Sequence, residues 1–290
     1  EIHFDGKATL DNGLTVGTHI EGRADAGDNF DVDETYIFFS GDWGKVNFGS
    51  TYAAPYTLQV VAPAADANID GRLQLITPVS YTAGGLTNMG ETDYDHDVSA
   101  KTDKVTYYTP VISGFQAGVS FTPTVSTASR GSAGNSTADP EISDVYEAAA
   151  RFENKMSETT SYRVGAGYTR AQVQSFPDNR QAWNVGIDAD IGDFGVGVTY
   201  QADDLGSNTD DIKYLDIGAD YTVGSMVYGA SYYNKNDDVY DADMDRYSVG
   251  ATYKVIPGLS FRGSIGYYDI SQGTTDVNAT AVLIGTDIKF

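Results

Sequence analysis

Apolar side chains recur two residues apart along almost the whole chain, with small or polar residues between them. A period of two belongs to strands whose faces meet different surroundings. The opening stretch sets Ile2, Phe4 and Ala8 against Leu14, Val16, Thr18 and Ile20 across Asp11-Asn12-Gly13. Asn-Gly tolerates positive φ at both positions and so favours a tight hairpin turn. The same pattern predicts strands at Tyr36–Ser40, Val46–Thr51, Lys104–Thr109, Phe115–Thr122, Tyr146–Glu153 and Tyr162–Thr169. Three hairpins follow: Trp183–Ile191 with Phe194–Tyr200, Leu215–Tyr221 with Met226–Tyr232, and Tyr247–Val255 with Leu259–Tyr267. Thr280–Phe290 ends the series at fifteen strands.

The connections alternate in length. Gly192-Asp193, Thr222–Ser225 and Ile256-Pro257-Gly258 are tight. Ala24–Asp33, Val125–Ser143, Val173–Gln181, Asp203–Asp211, Asn234–Asp245 and Ser271–Asn278 read as longer loops rich in Asp, Asn, Ser and Gly. One plain rim and one decorated rim describe a large antiparallel transmembrane β-barrel, which at this size encloses water. Closure normally needs an even strand number. One further strand before Glu1, pairing with Thr280–Phe290, would make sixteen. Residues 1–290 then form a single barrel domain carrying an inserted segment at 53–102.

Composition narrows the partners. The net charge of −23 leaves no basic footprint for DNA or RNA. With no Cys there is neither a disulfide framework nor a thiolate metal site. No apolar run approaches the ~18 residues of a helical membrane span. The negative mean hydropathy does not argue against a membrane, because lipid-facing and lumen-facing residues average out along a barrel strand.

Segments FDGKATLDNGLTVG, GDWGKVNFGSTYAAPY, ISGFQAGVSFTP and the final IKF give the chain its resemblance to a known family. It resembles the general diffusion porins of Gram-negative bacteria, α-proteobacterial type, over nearly its whole length. The resemblance implies a trimeric, sixteen-stranded barrel in the bacterial outer membrane, in contact with lipid and lipopolysaccharide. It implies passive diffusion of small hydrophilic solutes and ions, no required cofactor, and a long third loop folded into the lumen. The 53–102 segment lacks a Pro-Glu-Phe-Gly-type signature, so constriction residues do not transfer position for position.

Placing the apolar parity towards lipid turns His3, Asp5, Lys7, His19, Glu21 and Arg23 to the lumen, and later Arg151, Arg163, Asp188 and Arg262. A cationic side chain facing mid-membrane lipid costs about 2–4 kcal/mol, so this many charges at one parity is informative. Tyr36, Tyr107, Tyr162, Tyr200, Tyr221, Tyr232, Tyr253 and Tyr267 fall near strand ends, as interfacial aromatic girdles do. The insertion carries Leu58, Val60, Val61, Leu73, Leu75, Ile76, Val79 and Tyr81, which suit packing on a wall. It also carries the constriction candidates Asp66, Asp70, Glu91 and Asp93. Lys7, His19, Glu21 and Arg23 are the candidates for the facing wall, giving a transverse field across the aperture. With 41 acids against 18 bases, the expected preference is for cations.

Other signals are weaker. Asp241, Asp243 and Asp245 begin like a calcium loop, but Arg246 and Thr252 stand where Gly and Glu are required, leaving only adventitious Ca2+ binding at acidic loops. His3, His19 and His96 show no zinc-site spacing, and no catalytic motif occurs, so an enzyme is not expected. Two alternatives remain. A solute-specific outer-membrane channel would use an aromatic slide, for which Tyr81, Tyr94 and Tyr108 are available. A soluble secreted calcium-binding β-sandwich or adhesin would show the same alternation with its polar face in bulk water.

Overall fold

The computed structural model describes residues 2–23, 31–63, 86, 95–125, 142–174, 178–207 and 209–289. Among them, fifteen antiparallel strands form one sheet in chain order. The first eight are β1 (Ile2–Thr9), β2 (Thr15–Arg23), β3 (Asp31–Gly41), β4 (Gly44–Ser50), β5 (Asp103–Tyr108), β6 (Phe115–Val125), β7 (Ile142–Lys155) and β8 (Thr160–Val173). The others are β9 (Arg180–Ile191), β10 (Phe194–Asp203), β11 (Ile212–Val223), β12 (Met226–Asp237), β13 (Ala242–Ile256), β14 (Leu259–Gln272) and β15 (Thr275–Ile288). Every strand pairs with its sequence neighbours, and among the described residues β1 and β15 do not pair with each other. A single-turn helix, α1 (Ala54–Thr57), opens the insertion between β4 and β5.

The hairpin chemistry acts as the sequence predicts. In the first turn Gly13 sits at φ +84°, and the Asn12 side chain accepts the Leu14 N–H at 3.1 Å. Two connections expected to be long are instead tight. β12 continues to Asp237 and β13 resumes at Ala242, while β14 and β15 are separated by only Gly273 and Thr274. The polar residues there pair across strands. Asn236 donates to Asp243 at 2.7 Å, and Asp245 accepts from the Tyr232 hydroxyl at 2.6 Å and Asn234 at 3.0 Å. A polar ladder of this kind holds a strand together in water, where composition alone suggests a loop.

The two faces differ as the parity requires. Phe4, Phe48, Val119, Ile187, Val196, Val249 and Ile284 are exposed, Ile284 at 84%. This is the surface a bilayer covers. Five strands repeat one outward spacing: Phe115 and Phe121, Tyr162 and Tyr168, Phe194 and Tyr200, Tyr247 and Tyr253, Phe261 and Tyr267. Each pair lies six residues apart, roughly 20 Å along the strand. The rings therefore form two bands at opposite rims, linked sideways by contacts such as Phe194–Tyr221 at 4.5 Å and Tyr232–Tyr247 at 5.1 Å. Tyr36 departs from the girdle expectation. It pairs with His19 in register, and the rings lie 5.2 Å apart on the inner face.

The inner face is not uniformly polar either. Tyr214, Tyr233, Met244, Tyr268 and Ile270 form a buried apolar cluster on β11–β14, covered by Leu86 of the insertion. Here Leu86 of the insertion reaches β11–β14.

Candidate pore constriction

The described residues of the insertion lie on the charged face of the sheet as two limbs, the first of which can be followed from the glycines beneath it. The outgoing limb, residues 53–63, crosses β6, β8, β9, β10 and β11 in turn. Ala54 sits over Gly118, Pro55 over Gly167, Val60 over Gly165 and Gly186, Ala62 over Gly197, and Pro63 over Gly218. A Cβ on Gly186 would stand 1.9 Å from the Val60 carbonyl oxygen, and one on Gly218 would stand 1.8 Å from that of Pro63. The limb thus occupies a trough that exists only because the wall has no side chains there. Hydroxyl groups fix its height: Ser120 accepts the Ala54 N–H at 2.9 Å, Thr199 accepts that of Ala62 at 3.1 Å, and Tyr108 donates to Thr57 at 2.9 Å. Leu58 and Val60 are buried against the wall. Tyr108 is tied into this contact and does not stand in the lumen as part of a slide.

The return limb, residues 95–102, runs back along the same face from β10 to β2. Gln201 donates to the Asp95 carbonyl at 3.4 Å, and Ser99 donates to Glu147 of β7 at 2.7 Å. His96, fully buried, has Nε2 2.7 Å from the Thr169 hydroxyl, which itself donates to Glu147 at 3.3 Å. That chain makes Nε2 the protonated nitrogen and leaves Nδ1 as a buried lone pair without a hydrogen-bond partner. A second proton would place an uncompensated charge there, and burial accordingly pushes the imidazole down to about 4.

At the end of this limb Lys101 reaches the β2–β3 wall. Its ammonium lies 2.9 Å from Glu21 and 3.5 Å from Glu34, and it also donates to Asp33. Asp33 and Glu34 are sequence neighbours and would normally face opposite sides of a strand. A bulge lets both face Lys101. Glu21 pairs with Glu34 and Gly22 with Val32, leaving Asp33 as the extra residue. Burial opposes the Lys101 charge, but the hydrogen bonds it donates to Asp33 and Glu21 outweigh it and hold the ammonium above its ordinary range.

Two of the wall residues named from sequence lie in or beside this cluster. Glu21 is buried under Lys101, and Arg23 stands 3.6 Å from Asp31 and 3.8 Å from Asp33. Around Lys101 the wall contributes three carboxylates and the described part of the insertion contributes the base. His19 bonds Asp5 at 2.7 Å, and Lys7 lies on β1 opposite Gly17. Among the other lumen residues, Arg163 binds Asp188 through Nε at 3.0 Å, Arg262 binds Asp287 at 2.6 Å, and Arg151 pairs with Glu153. Asp66, Asp70, Glu91 and Asp93 lie outside the described residues, as do Tyr81, Tyr94, Leu73, Leu75, Ile76 and Val79. Asp243 and Asp245 belong to β13, with Asp241 in the turn before it.

Lys101, Asp33, Glu34, His96 and the glycine trough escaped the sequence reading. A lysine at the far end of a long insertion has no spacing relation to the strands it touches.

Comparison with known proteins agrees with this architecture. A family model described as Gram-negative porin matches residues 1–273. Among solved structures, an anion-selective porin from Comamonas acidovorans is similar with a TM-score of 0.70 and 16% identity, covering 99% of this chain and 88% of that one. A mutant of Rh. blastica porin is similar with a TM-score of 0.62 and 18% identity, covering 99% of this chain and 89% of that one. No curated protein matches at the level of sequence. A charged inner face, an apolar outer face between aromatic bands, an insertion laid along the inner wall and this family match lead to one conclusion: the chain belongs to the Gram-negative porins, outer-membrane channels for passive diffusion.

Proposed function

We propose that this porin passes small hydrophilic solutes and ions with a preference for cations, and that its constriction is the 53–102 insertion set against the β2–β3 wall. One observation carries this reading. Around Lys101, three carboxylates (Glu21, Asp33 and Glu34) share a single ammonium. The local excess of negative charge attracts cations into the narrow section and raises the barrier to anions. The anion-selective Comamonas porin supports the view that fold does not fix the sign of selectivity, which then rests with lining charges. Solutes cross without covalent chemistry.

We assign a homotrimer on the family membership, supported by the outward apolar side chains of β1 and β15, including Phe4, Val282 and Ile284. The deciding measurement is the reversal potential of single channels in a planar bilayer under a KCl gradient. A potential on the cation side, reduced in Glu21→Gln and Asp33→Asn, is the expected result. Equal K+ and Cl− permeability in the unmodified protein would overturn the preference.

A further inference from the structure

The β1–β2 register brings together side chains that sequence spacing keeps apart. His3 pairs with Glu21 and Asp5 with His19, so two imidazoles and two carboxylates occupy a two-by-two patch of the inner face. His3 Nδ1 lies 3.5 Å and His19 Nε2 3.9 Å from the same oxygen, Glu21 Oε2. Among the described residues this is the one group of three His, Asp or Glu side chains whose ligand atoms all lie within 4.8 Å of one another. Tetrahedral coordination with bonds of about 2.0–2.1 Å needs donor atoms roughly 3.3 Å apart. Small side-chain rotations close that difference, and the His3 side chain is 46% exposed.

The surrounding groups prepare the same atoms. Asp5 sits 2.7 Å from His19 Nδ1, so that nitrogen carries the proton and the Nε2 lone pair is turned towards Glu21. A carboxylate behind a ligating imidazole is the usual outer support of a zinc site, fixing the tautomer and the ring orientation. Glu21 is divided between two roles: Oε1 accepts Lys101 at 2.9 Å, which orients the carboxylate and leaves Oε2 for the imidazoles. The Tyr36 ring backs His19 on the other side. The exposed side of His3 leaves room for water to complete the shell.

We propose that His3, His19 and Glu21 form a binding site for a borderline transition-metal dication of the Zn2+ class, with Asp5 as positioning residue for His19. Two imidazoles and one carboxylate suit Zn2+, Co2+ or Ni2+, whereas Ca2+ and Mg2+ prefer shells of oxygen. Bound beside Lys101, the ion adds positive charge where the wall is most acidic. Its effect on conduction rests on the cation-preferring reading above; its binding does not.

The test titrates Co2+ into the folded, detergent-extracted full chain and follows the visible d–d absorption, with Zn2+ added afterwards. One equivalent per chain, an intense tetrahedral-type band, displacement by Zn2+ and retention in excess Ca2+ are expected. His19→Gln should abolish the band, and Asp5→Asn should weaken binding by about tenfold or more while keeping the band. Strand content by circular dichroism and heat-modifiable migration confirm that the variants fold. Absence of the band, equal binding by the His3→Gln/His19→Gln double variant, or displacement of Co2+ by Ca2+ would overturn the site. Because the readout is spectroscopic, that failure is distinct from a loss of ion selectivity.

Discussion

At the scale of single residues, Lys101 decides how the insertion meets the wall. Its ammonium is shared by Glu21, Asp33 and Glu34, and its side chain is only 16% exposed. Removing one member of such a cluster leaves charges in poor solvent and costs about 3 kcal/mol. Lys101→Met should therefore lower the unfolding temperature and shift the reversal potential further to the cation side, because Glu21 and Glu34 lose the shared ammonium and Asp33 keeps only Arg23. Lys101→Arg should restore both. An unchanged reversal potential in Lys101→Met would place the cluster off the conduction path. The alternation of strands made Glu21 and Arg23 legible as inner-face residues, since parity is a property of sequence. Asp33 was not legible, because the sequence reads it as the end of a loop and only the bulge opposite Glu21 sets it beside Glu34 on the inner face. The pairing of His3 with Glu21 was hidden for a related reason: register depends on where a turn closes, and spacing along the chain does not report it.

At the scale of elements, two devices hold the insertion and each can be perturbed separately. The outgoing limb depends on missing side chains. Gly186→Ala places a methyl group 1.9 Å from the Val60 carbonyl, and backbone on both sides cannot yield cheaply. The variant should fold, since the strand itself accepts Ala, but the limb should lift. Altered single-channel conductance and faster proteolysis within the insertion are the expected readouts. Gly263→Ala meets nothing nearer than 3.6 Å and should change neither. The return limb depends on a neutral His96. Its folded value of about 4 lies below the ordinary 6.5, so in the window between them the displaced state binds the extra proton. Stability of the docked limb is then complete above 6.5 and is lost as pH falls towards 4, by at most about 3 kcal/mol. Proteolysis of the insertion should rise on acidification through this window, and His96→Gln should flatten the dependence. Strands were legible because period two is set by burial of one face. The path of the insertion was not, because its seat is written as six glycines spread over five strands, each unremarkable alone.

At the scale of the whole molecule, the proposed cation preference would have two sources with different ranges. The chain carries −23, and among the described residues Asp204, Asp210, Asp211, Asp238 and Asp241 fall in connections on the rim opposite the Gly192-Asp193 turn, where charges act through water at a distance. On the proposed reading, the carboxylates around Lys101 would act by near contact with a passing ion. Salt separates them, since the screening length falls from about 30 Å at 0.01 M to about 3 Å at 1 M. In 0.01 M KCl both should operate and the K+ preference should be strong. In 1 M KCl the distant field is screened and the preference should fall to the part due to the wall. Glu21→Gln should remove that residue of selectivity at 1 M while leaving much of the preference at 0.01 M. A permeability ratio independent of salt would mean that the rim charges contribute nothing. A ratio of unity at 1 M would mean that the acidic wall does not line the narrow section, and that the channel selects cations through its outer charge alone.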